Sequence, residues 1–468
     1  MVTGKKIIYS ITDADENNRL TRTNALCDIV VLYDFNEKEK SGVLIPTEKL
    51  ESFTLNENIF GALPKLRLKF FDTGEYFKKI NFVIGKKLYL KITPRPAENM
   101  KLDFVPAPYI ETVFTVQEVQ TTLQPNIRYN YTLDCTYGSL SFLSKICFWP
   151  KRMPPLDITP EYLSSKDVLL KVAGEAGFNK PTSQLTSEPQ DKMNWLSTNY
   201  TYDQFIKKIV SHAWIDEDDA PFYYIDKNGT FYLSSLRTCG EKAVVGRYME
   251  ITKLHQLQLK NKNVESNYRG YAEGSVQNMG FMANDGGNVA GTYVFNPMHT
   301  PIMDPRYLKP TSTHTIIPSF DMTVHYRKYT SSPTTPAFVN GLDNRSDASV
   351  ANMKYLNNAF HFMENHQFYD VAPGHNKALI RRFFQVFADI VCNCNNQTKR
   401  DFEENQRVKL SDKINIEFSS GLTQNDTSIH TGDYIVADLT HTWTVGGAYT
   451  INIIGVRDTI TKEGSLIK

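Results

Sequence analysis

The sequence predicts an α+β protein dominated by β structure, in which two strand-rich regions flank a short helical unit. Two observations carry that prediction. Near both ends of the chain, apolar residues alternate with polar ones at period two, the pattern of a strand with one buried and one wet face. Between them lie two capped amphipathic stretches at helical spacing, followed by a tight hairpin. The chain has 468 residues, 41% hydrophobic and 12% aromatic, which suits about three folded units rather than a disordered chain.

Residues 1–150 read as the first β unit. "KKIIYSI" and "CDIVVLYDF" are strand-like runs. "LPKLRLKFFDTGEYF" sets Leu66, Leu68 and Phe70 against Arg67 and Lys69, and Asp72-Thr-Gly74 is expected to turn the chain. "FVIGKKLYLKITP" places Gly85 in a turn before Leu88, Leu90 and Ile92, and "VFTVQEVQTTL" and "YNYTLDCTYG" continue the pattern. Several short strands with turns between them suggest a sandwich or barrel. The proline cluster from Phe148 to Pro160 marks a domain boundary.

Residues 151–245 read as an α+β insert. "SSKDVLLKVAGEAGF" opens on Ser164-x-x-Asp167, carries Val168, Leu169, Val172, Ala173 and Ala176 as one stripe, and has Gly177 at a helix C-terminus. "TYDQFIKKIVSHAW" repeats the logic, with Thr201-x-x-Gln204 as the cap and Phe205, Ile206, Ile209, Val210 and Ala213 as the stripe. In "FYYIDKNGTFYLSSL", Asp226-Lys-Asn-Gly229 turns the chain between two aromatic strands, because Gly229 can take a positive φ without a Cβ penalty.

Residues 246–375 read as a loop-rich β region, with Lys260 to Arg345 rich in Gly, Asn and Pro. Long loops on a rigid frame suit contacts with partners. Residues 376–468 read as a helix and closing strands. "NKALIRRFFQVFADIV" would be the helix, with Leu379, Phe383, Val386 and Ile390 on one face. "KINIEF" and "GDYIVADLTHTWTVGGAYTINIIGVRD" would be the strands, with Gly446-Gly447 as a hairpin turn.

Candidate chemistry is sparse. In "HFMENHQF", His361 and His366 stand five apart around Glu364, whereas a helical zinc protease needs two His four apart with Glu beside the first. The stretch reads as an aromatic-rich surface segment. The acidic run from Asp216 to Asp219 lacks the alternating ligands and glycine bend of a calcium loop and reads as a solvated turn. Arg381-Arg382 reads as an exposed helix flank rather than a phosphate contact. "TSEPQDKMNW" and "SSGLTQNDTS" mark no nucleophile, and no G-x-S-x-G, Walker loop or G-x-G-x-x-G is present. Catalytic, cofactor-binding and metal residues are therefore assigned to none, no cofactor is expected, and the chain is expected not to be an enzyme.

Composition limits the partners. The 52 basic and 51 acidic residues leave a net charge of +1, so no overall field draws the chain onto nucleic acid or an anionic membrane. Six cysteines, including Cys392-Asn-Cys394 with its non-metal spacing, read as plain thiols of a reducing compartment. The N-terminus has no signal-peptide core, and no apolar run reaches the ~18 residues that span a bilayer. The chain is expected to fold in a cytoplasm.

The order of these parts resembles the baseplate central hub protein of contractile-tail bacteriophages, a family that includes the hub portion of type VI secretion spike proteins. Three stretches carry the resemblance: "LRLKFFDTGEYFKKINFVIGKKLYLKIT"; then "SSKDVLLKVAGEAGF", "WLSTNYTYDQFIKKIVSHAW" and "FYYIDKNGTFYL"; and "GDYIVADLTHTWTVGGAYTINIIGVRD". The resemblance covers most of the chain and fits least well over Lys260 to Arg345, which look like extra loops.

The resemblance implies two tail-tube-like β-barrel domains with an α+β insert and long loops. It implies a homotrimer whose three pairs of barrels match a sixfold tail tube above and seat a threefold central spike below. The implied partners are the spike, the tail tube or tube-initiator protein, neighbouring baseplate wedge proteins, and DNA that passes through the lumen without specific binding. The implied place is the tail baseplate of a virion assembled in the host cytoplasm, with spike and any cell-wall hydrolase on separate chains. The alternatives are a tail-associated cell-wall hydrolase whose active site escapes motif reading and a glycan-binding tail adhesin.

Overall fold

In the first strand-rich region the alternation becomes an antiparallel sheet with one apolar face. The computed structural model describes residues 25–32, 42–45, 49–73, 84–94, 108–124, 128–138, 141–150, 162–216, 219–249, 407–417, 431–444, 449–457 and 459–461. Between 250 and 406 it describes 269–270, 276–281, 292–295, 314–317, 334–336, 352–355, 366, 368–369, 372–373, 376, 379–380 and 386–393.

Strands β1 (Ala25–Leu32), β2 (Gly42–Ile45), β3 (Leu50–Asn58), β4 (Lys65–Thr73), β5 (Lys87–Pro94), β6 (Ile110–Gln124) and β7 (Arg128–Tyr137) pair in the order β2-β1-β5-β6-β7-β4-β3. On β4 the side chains of Leu66, Leu68 and Phe70 are buried, while Lys65, Arg67 and Lys69 are exposed. Asp72 and Thr73, expected to open a turn with Gly74, belong to β4. Asp72 and Thr73 still pair with Tyr129 and Arg128, and buried Asp72 accepts from Lys49 Nζ at 3.1 Å. A paired cation lets the ladder continue through an acidic residue that would otherwise favour a turn. Gly74, "KKIIYSI" and most of the proline cluster lie outside the described residues.

Helix α1 (Ser141–Ser144), at the end of the first unit, packs Phe142 into the core of the insert, which itself contains α2 (Ser165–Glu175), β8 (Asn179–Ser183), α3 (Tyr202–His212), β9 (Pro221–Ile225), β10 (Thr230–Ser235) and α4 (Leu236–Glu241), a short helix that the sequence reading missed. Ser164 Oγ accepts from the Asp167 backbone N–H, and Thr201 and Gln204 form a reciprocal capping box. Helix α2 ends in a Schellman motif: Gly177 at φ +92° donates to Gly174 O, and Phe178 donates to Ala173 O. Val168, Leu169, Val172, Phe205, Ile206 and Phe231 form the insert's own core.

The hairpin β9–β10 turns as expected, with the Gly229 N–H donating to Asp226 O at 2.9 Å and Gly229 at φ +76°. A Cβ on Gly229 would fall 1.8 Å from the Tyr137 ring of β7, so close approach as well as backbone conformation requires glycine. Strand β9 is buried on both faces. Tyr223 and Ile225 enter the insert's core, whereas Phe222 and Tyr224 enter the core of the second β region. One hairpin thus belongs to two cores, which accounts for its near-continuous aromatic character.

That second region contains β11 (Val244–Met249), β12 (Arg269–Gly270), β13 (Val276–Phe281), β14 (Thr292–Phe295), β15 (His314–Ile317), β16 (Thr334–Pro336), β17 (Asn352–Tyr355), β18 (Val386–Asn393), β19 (Lys413–Glu417), β20 (Gly432–Thr444), β21 (Thr450–Arg457) and β22 (Thr459–Thr461). Within Lys260 to Arg345 only the short strands β12 to β16 are described, so the reading of long loops there lies largely outside the described residues. The helix expected over 376–391 is overturned in its second half. Val386 to Asn393 is strand β18, paired with β21 and β13. Ala388 and Ile390 are buried at period two, so the β-branched run satisfies a strand as well as a helix stripe, and two pairing neighbours decide between them. Gly446 and Gly447 lie outside the described residues.

The two β regions share one sheet. Strand β20 pairs antiparallel with β3, placing Trp443 opposite Phe53, His441 opposite Leu55 and Leu439 opposite Glu57. The path runs β12-β11-β19-β20-β3-β4-β7-β6-β5-β1-β2, with β21, β18 and β13 branching from β20. Trp443 and Tyr449 are buried in the core of the first region, beside Phe53, Leu55 and Leu68.

Candidate functional site

Where the three cores meet, the core-facing side of β3 breaks its apolar rule. After Phe53 and Leu55 comes Glu57, 2% exposed. The facing side of β20 does the same with His441, 1% exposed, between Leu439 and Trp443. His441 Nε2 stands 3.1 Å from Glu57 Oε1, and its Nδ1 stands 2.6 Å from Tyr449 Oη. The insert supplies the third element: the Lys227 backbone N–H donates to Glu57 Oε2 at 2.7 Å, and Lys227 Nζ lies 3.9 Å from Oε1. A relay from Tyr449 through His441 to Glu57 and Lys227 therefore ties both β regions to the hairpin turn.

Burial pushes His441 below its ordinary pKa, and the neighbouring Lys227 charge adds to the shift. The neutral ring then donates from Nε2 to Glu57 and accepts at Nδ1 from the Tyr449 hydroxyl, which satisfies both ring nitrogens. Burial alone would raise Glu57, but the Lys227 charge and the His441 hydrogen bond outweigh it and hold the carboxyl low. The arrangement can lock modules together. The imidazole and the carboxylate are buried among the described residues.

Asp226, at the same turn, accepts from the Asn228 and Thr230 N–H groups at 3.0 and 2.8 Å, and burial, with Glu57 nearby, pushes its pKa up to about 6. A carboxyl raised in the folded state stabilises the fold below its unfolded pKa, and that contribution is lost as pH rises through the folded value. Asp226→Asn keeps the acceptor and removes the titration. Relative to this variant, the wild type is expected to gain on the order of 1 kcal/mol between about pH 8 and about pH 5, read by urea denaturation at both values. A pH-independent difference would refute the assignment.

Further ties join the modules. Lys242 Nζ donates to Ser411 Oγ at 2.6 Å and to Gln184 Oε1 at 3.2 Å, and Tyr224 Oη shares a 2.9 Å hydrogen bond with Ser411 Oγ. Arg407 donates to Pro108 O at 2.9 Å and lies over the Tyr109 ring.

The residues singled out in the sequence do not converge. His361, Glu364, Arg381 and Arg382 lie outside the described residues. His366 is buried rather than on a surface: its Nε2 lies 2.9 Å from His212 O, Tyr369 stacks on His212, and Phe368 stacks on Trp214. The aromatic neighbours that suggested a surface instead dock this segment on the insert. Of the acidic run, Asp216 accepts from the Arg237 guanidinium and Asp219 from the Arg237 N–H, both at 2.9 Å, and Asp219 is pushed up to about 6 by burial. Among the described residues, no group of three or more His, Cys, Asp or Glu is placed to hold a metal ion. No described helix is long and apolar enough to cross a membrane. The relay was missed, although an acid in phase with Phe53 and Leu55 and a histidine in phase with Leu439 and Trp443 were signals for it.

Across paired strands one row reads Thr450, Thr442, Thr54, Arg67, Asp134 and Glu118, and the next reads Thr444, Ser52, Lys69, Thr132 and Gln120. From β20 through β3, β4 and β7 to Glu118 and Gln120 of β6 these two rows on the opposite face of the joined sheet are polar, whereas on β2, β1, β5 and the start of β6 that face carries an apolar row, Leu44, Val30, Tyr89 and Val113. The exposed large apolar residues lie elsewhere. Ile146 and Phe148 (70% exposed), at the end of the first unit, sit beside Leu196 of the insert, where residues 145–149 run along 197–202.

No protein-family model matches the chain, and no curated protein matches its sequence. The fold is shared with a solved prophage tail protein. The 43 kDa tail protein of prophage MuSo2 from Shewanella oneidensis aligns with a TM-score of 0.51 at 7% identity, covering 93% of this chain and 99% of that one. A tail protein from Neisseria meningitidis MC58 aligns with a TM-score of 0.48 at 6% identity over 93% and 97%. An Escherichia coli protein described as a component of the type VI secretion system aligns at 0.39 and 6% identity, over 87% and 73%. The first of these carries the argument. A β-dominated fold with tail-tube-like β domains and a few helices is the class this chain belongs to by structure.

Proposed function

We propose that this protein is a structural, non-catalytic baseplate hub of a contractile phage tail. The fold shared with a prophage tail protein over nearly the full length of both chains is the observation that carries the reading. Three copies form a ring that fits the sixfold tail tube, or its initiator, on one side and the threefold central spike on the other. DNA passes through the lumen unspecifically, and baseplate wedge proteins pack outside. The units are 1–150 and 376–468 as tube-like domains, 151–245 as the insert, and 246–375 as a loop-rich part of the second domain. Assembly takes place in the host cytoplasm, and the finished ring resides in the virion. The continuous sheet through β3 and β20 supports this reading, because it fixes the two β regions of one subunit as a rigid pair. The exposed Ile146 and Phe148, beside Leu196 of the insert, suit a contact with a neighbouring protein.

Light scattering on the purified protein, alone and mixed with its spike protein, tests the reading. A trimer is expected in at least the mixture. Monomers in both samples overturn it.

A further inference from the structure

We propose that the main chain from Ile146 to Phe148 is a docking edge, where a neighbouring protein adds an extended segment whose side chains alternate between apolar and acidic. The proposal rests on the hub reading only for the neighbour being a component of the tail. Three observations lead to it. The first is an open edge. Residues 145–149 pair on one side with 197–202: the Cys147 N–H donates to Tyr200 O at 2.8 Å, the Ser197 N–H to Trp149 O at 3.1 Å and the Tyr202 N–H to Lys145 O at 3.2 Å. Main-chain groups point alternately to the two sides of an extended chain, so those of Ile146 and Phe148 face away from this ladder. Among the described residues they make no hydrogen bond. Such an edge is a template for a strand from another chain.

The second observation is what the edge displays. Cys147 is buried in the insert's core and Trp149 packs against that core. Ile146 and Phe148 stand in the opposite phase and are exposed, and Leu196, exposed as well, precedes the paired Ser197. One exposed apolar side chain is ordinary. Three of them beside an unpaired edge mark a surface that is covered in the assembled state. An added strand would cover Ile146 and Phe148 with apolar side chains at its own alternate positions, which sets the period of the partner segment.

The third is charge. Lys145 and Lys192 are exposed, and Lys208 reaches over the Tyr200 ring, with Nζ 5.0 Å from its centroid. None of the three forms an ion pair among the described residues. Residues 141–150 and 192–202 contain no acidic side chain, and the next carboxylate, Asp203, already accepts from Lys207 at 2.7 Å. A cationic rim that the chain does not neutralise itself selects carboxylates on the partner, so the polar positions of the added segment are acidic.

The probe is a fluorescein-labelled synthetic peptide of about six residues, a typical strand length, in which Val and Phe alternate with Glu. Its anisotropy is titrated with the full chain across a salt series. Saturable binding that weakens as salt rises is expected. Ile146→Ser combined with Phe148→Ser is expected to weaken it roughly tenfold. Lys145→Gln, Lys192→Gln and Lys208→Gln together are expected to weaken it several-fold and to flatten the salt dependence. The same peptide with Lys in place of Glu is expected not to bind, and one N-methylated at the residues that face the edge is expected to bind roughly tenfold more weakly. The substituted side chains reach the surface, and an unchanged circular dichroism spectrum is expected. No saturable binding by the wild type, no loss in the serine variant, or equal binding of the N-methylated peptide overturns the proposal. Binding to phosphatidylglycerol vesicles that the serine changes abolish, without binding of the peptide, assigns the patch to a lipid surface and overturns it as well. The titration uses neither spike nor ring, so monomers in the scattering test overturn the hub reading while peptide binding still decides this one.

Discussion

Glu57→Leu is expected to destabilise the protein by about 3–5 kcal/mol in denaturant unfolding, because it leaves buried partners without their carboxylate. The side chain is replaced by one of similar size, so packing changes little. What is lost is the acceptor for the Lys227 N–H and for His441 Nε2, and the only counter-charge within 4 Å of Lys227 Nζ among the described residues. An unsatisfied buried donor costs about 1–3 kcal/mol on its own, and the half-buried Lys227 ammonium left without its counter-charge adds to that. Glu57→Gln tests whether charge or hydrogen bonding dominates. Its amide can still accept from Lys227, and His441 can switch tautomer, so a loss of about 1–2 kcal/mol is expected. The difference between wild type and Glu57→Leu should also depend on pH in a defined direction. The Glu57 carboxyl is held below its ordinary value of 4.5, so its contribution is present above that pH and fades as pH falls through the folded value. Equal losses for Leu and Gln, or a loss under about 1 kcal/mol for Leu, would show that the relay does not join the modules.

Local patterns in the sequence were legible where a single element decides its own form. The alternation around Leu66, Leu68 and Phe70, the Thr201–Gln204 capping box and the Gly229 turn depend on residues within a few positions of one another, and each is found as expected. The strand at Val386 was misread because Leu379, Phe383, Val386 and Ile390 satisfy a helical stripe, and the neighbours that make it a strand lie far along the chain. The same limit hid the relay. Glu57 and His441 are 384 residues apart, and their meeting depends on the register of β3 against β20, which no local pattern specifies. An acidic residue at a core-facing position signals that a partner exists but not which one it is. The aromatic character of Phe222 to Ile225 was visible; its cause was not, because a strand buried on both faces serves two cores, and only the assembled structure shows the second.

Trp443→Ala is expected to cost about 3–5 kcal/mol, and its effect should fall on the first β region although the residue belongs to the last. Trp443 is fully buried with its ring nearly parallel to Phe53, 6.2 Å between centroids, and Tyr449 packs 5.2 Å from Tyr109 in the same core. Removing the indole empties a space bounded by paired strands of a rigid sheet, which relaxes little, so the cavity contribution is near its upper range. Among the described residues the indole N–H has no hydrogen-bond partner, so Trp443→Phe, which keeps an aromatic ring against Phe53, should lose far less. The same geometry governs fragments. Residues 1–150 expressed alone lack Trp443, Tyr449 and the strand that covers the open edge of β3, and they are expected to show no cooperative thermal transition and to associate through that edge. The full chain should unfold with the first β region and the closing strands melting together, as followed by hydrogen exchange at Leu55 and Leu439. A fragment of 1–150 that melts cooperatively as a monomer would mean that the first region completes its own core, and that the shared sheet is a contact between finished domains rather than part of how either one folds.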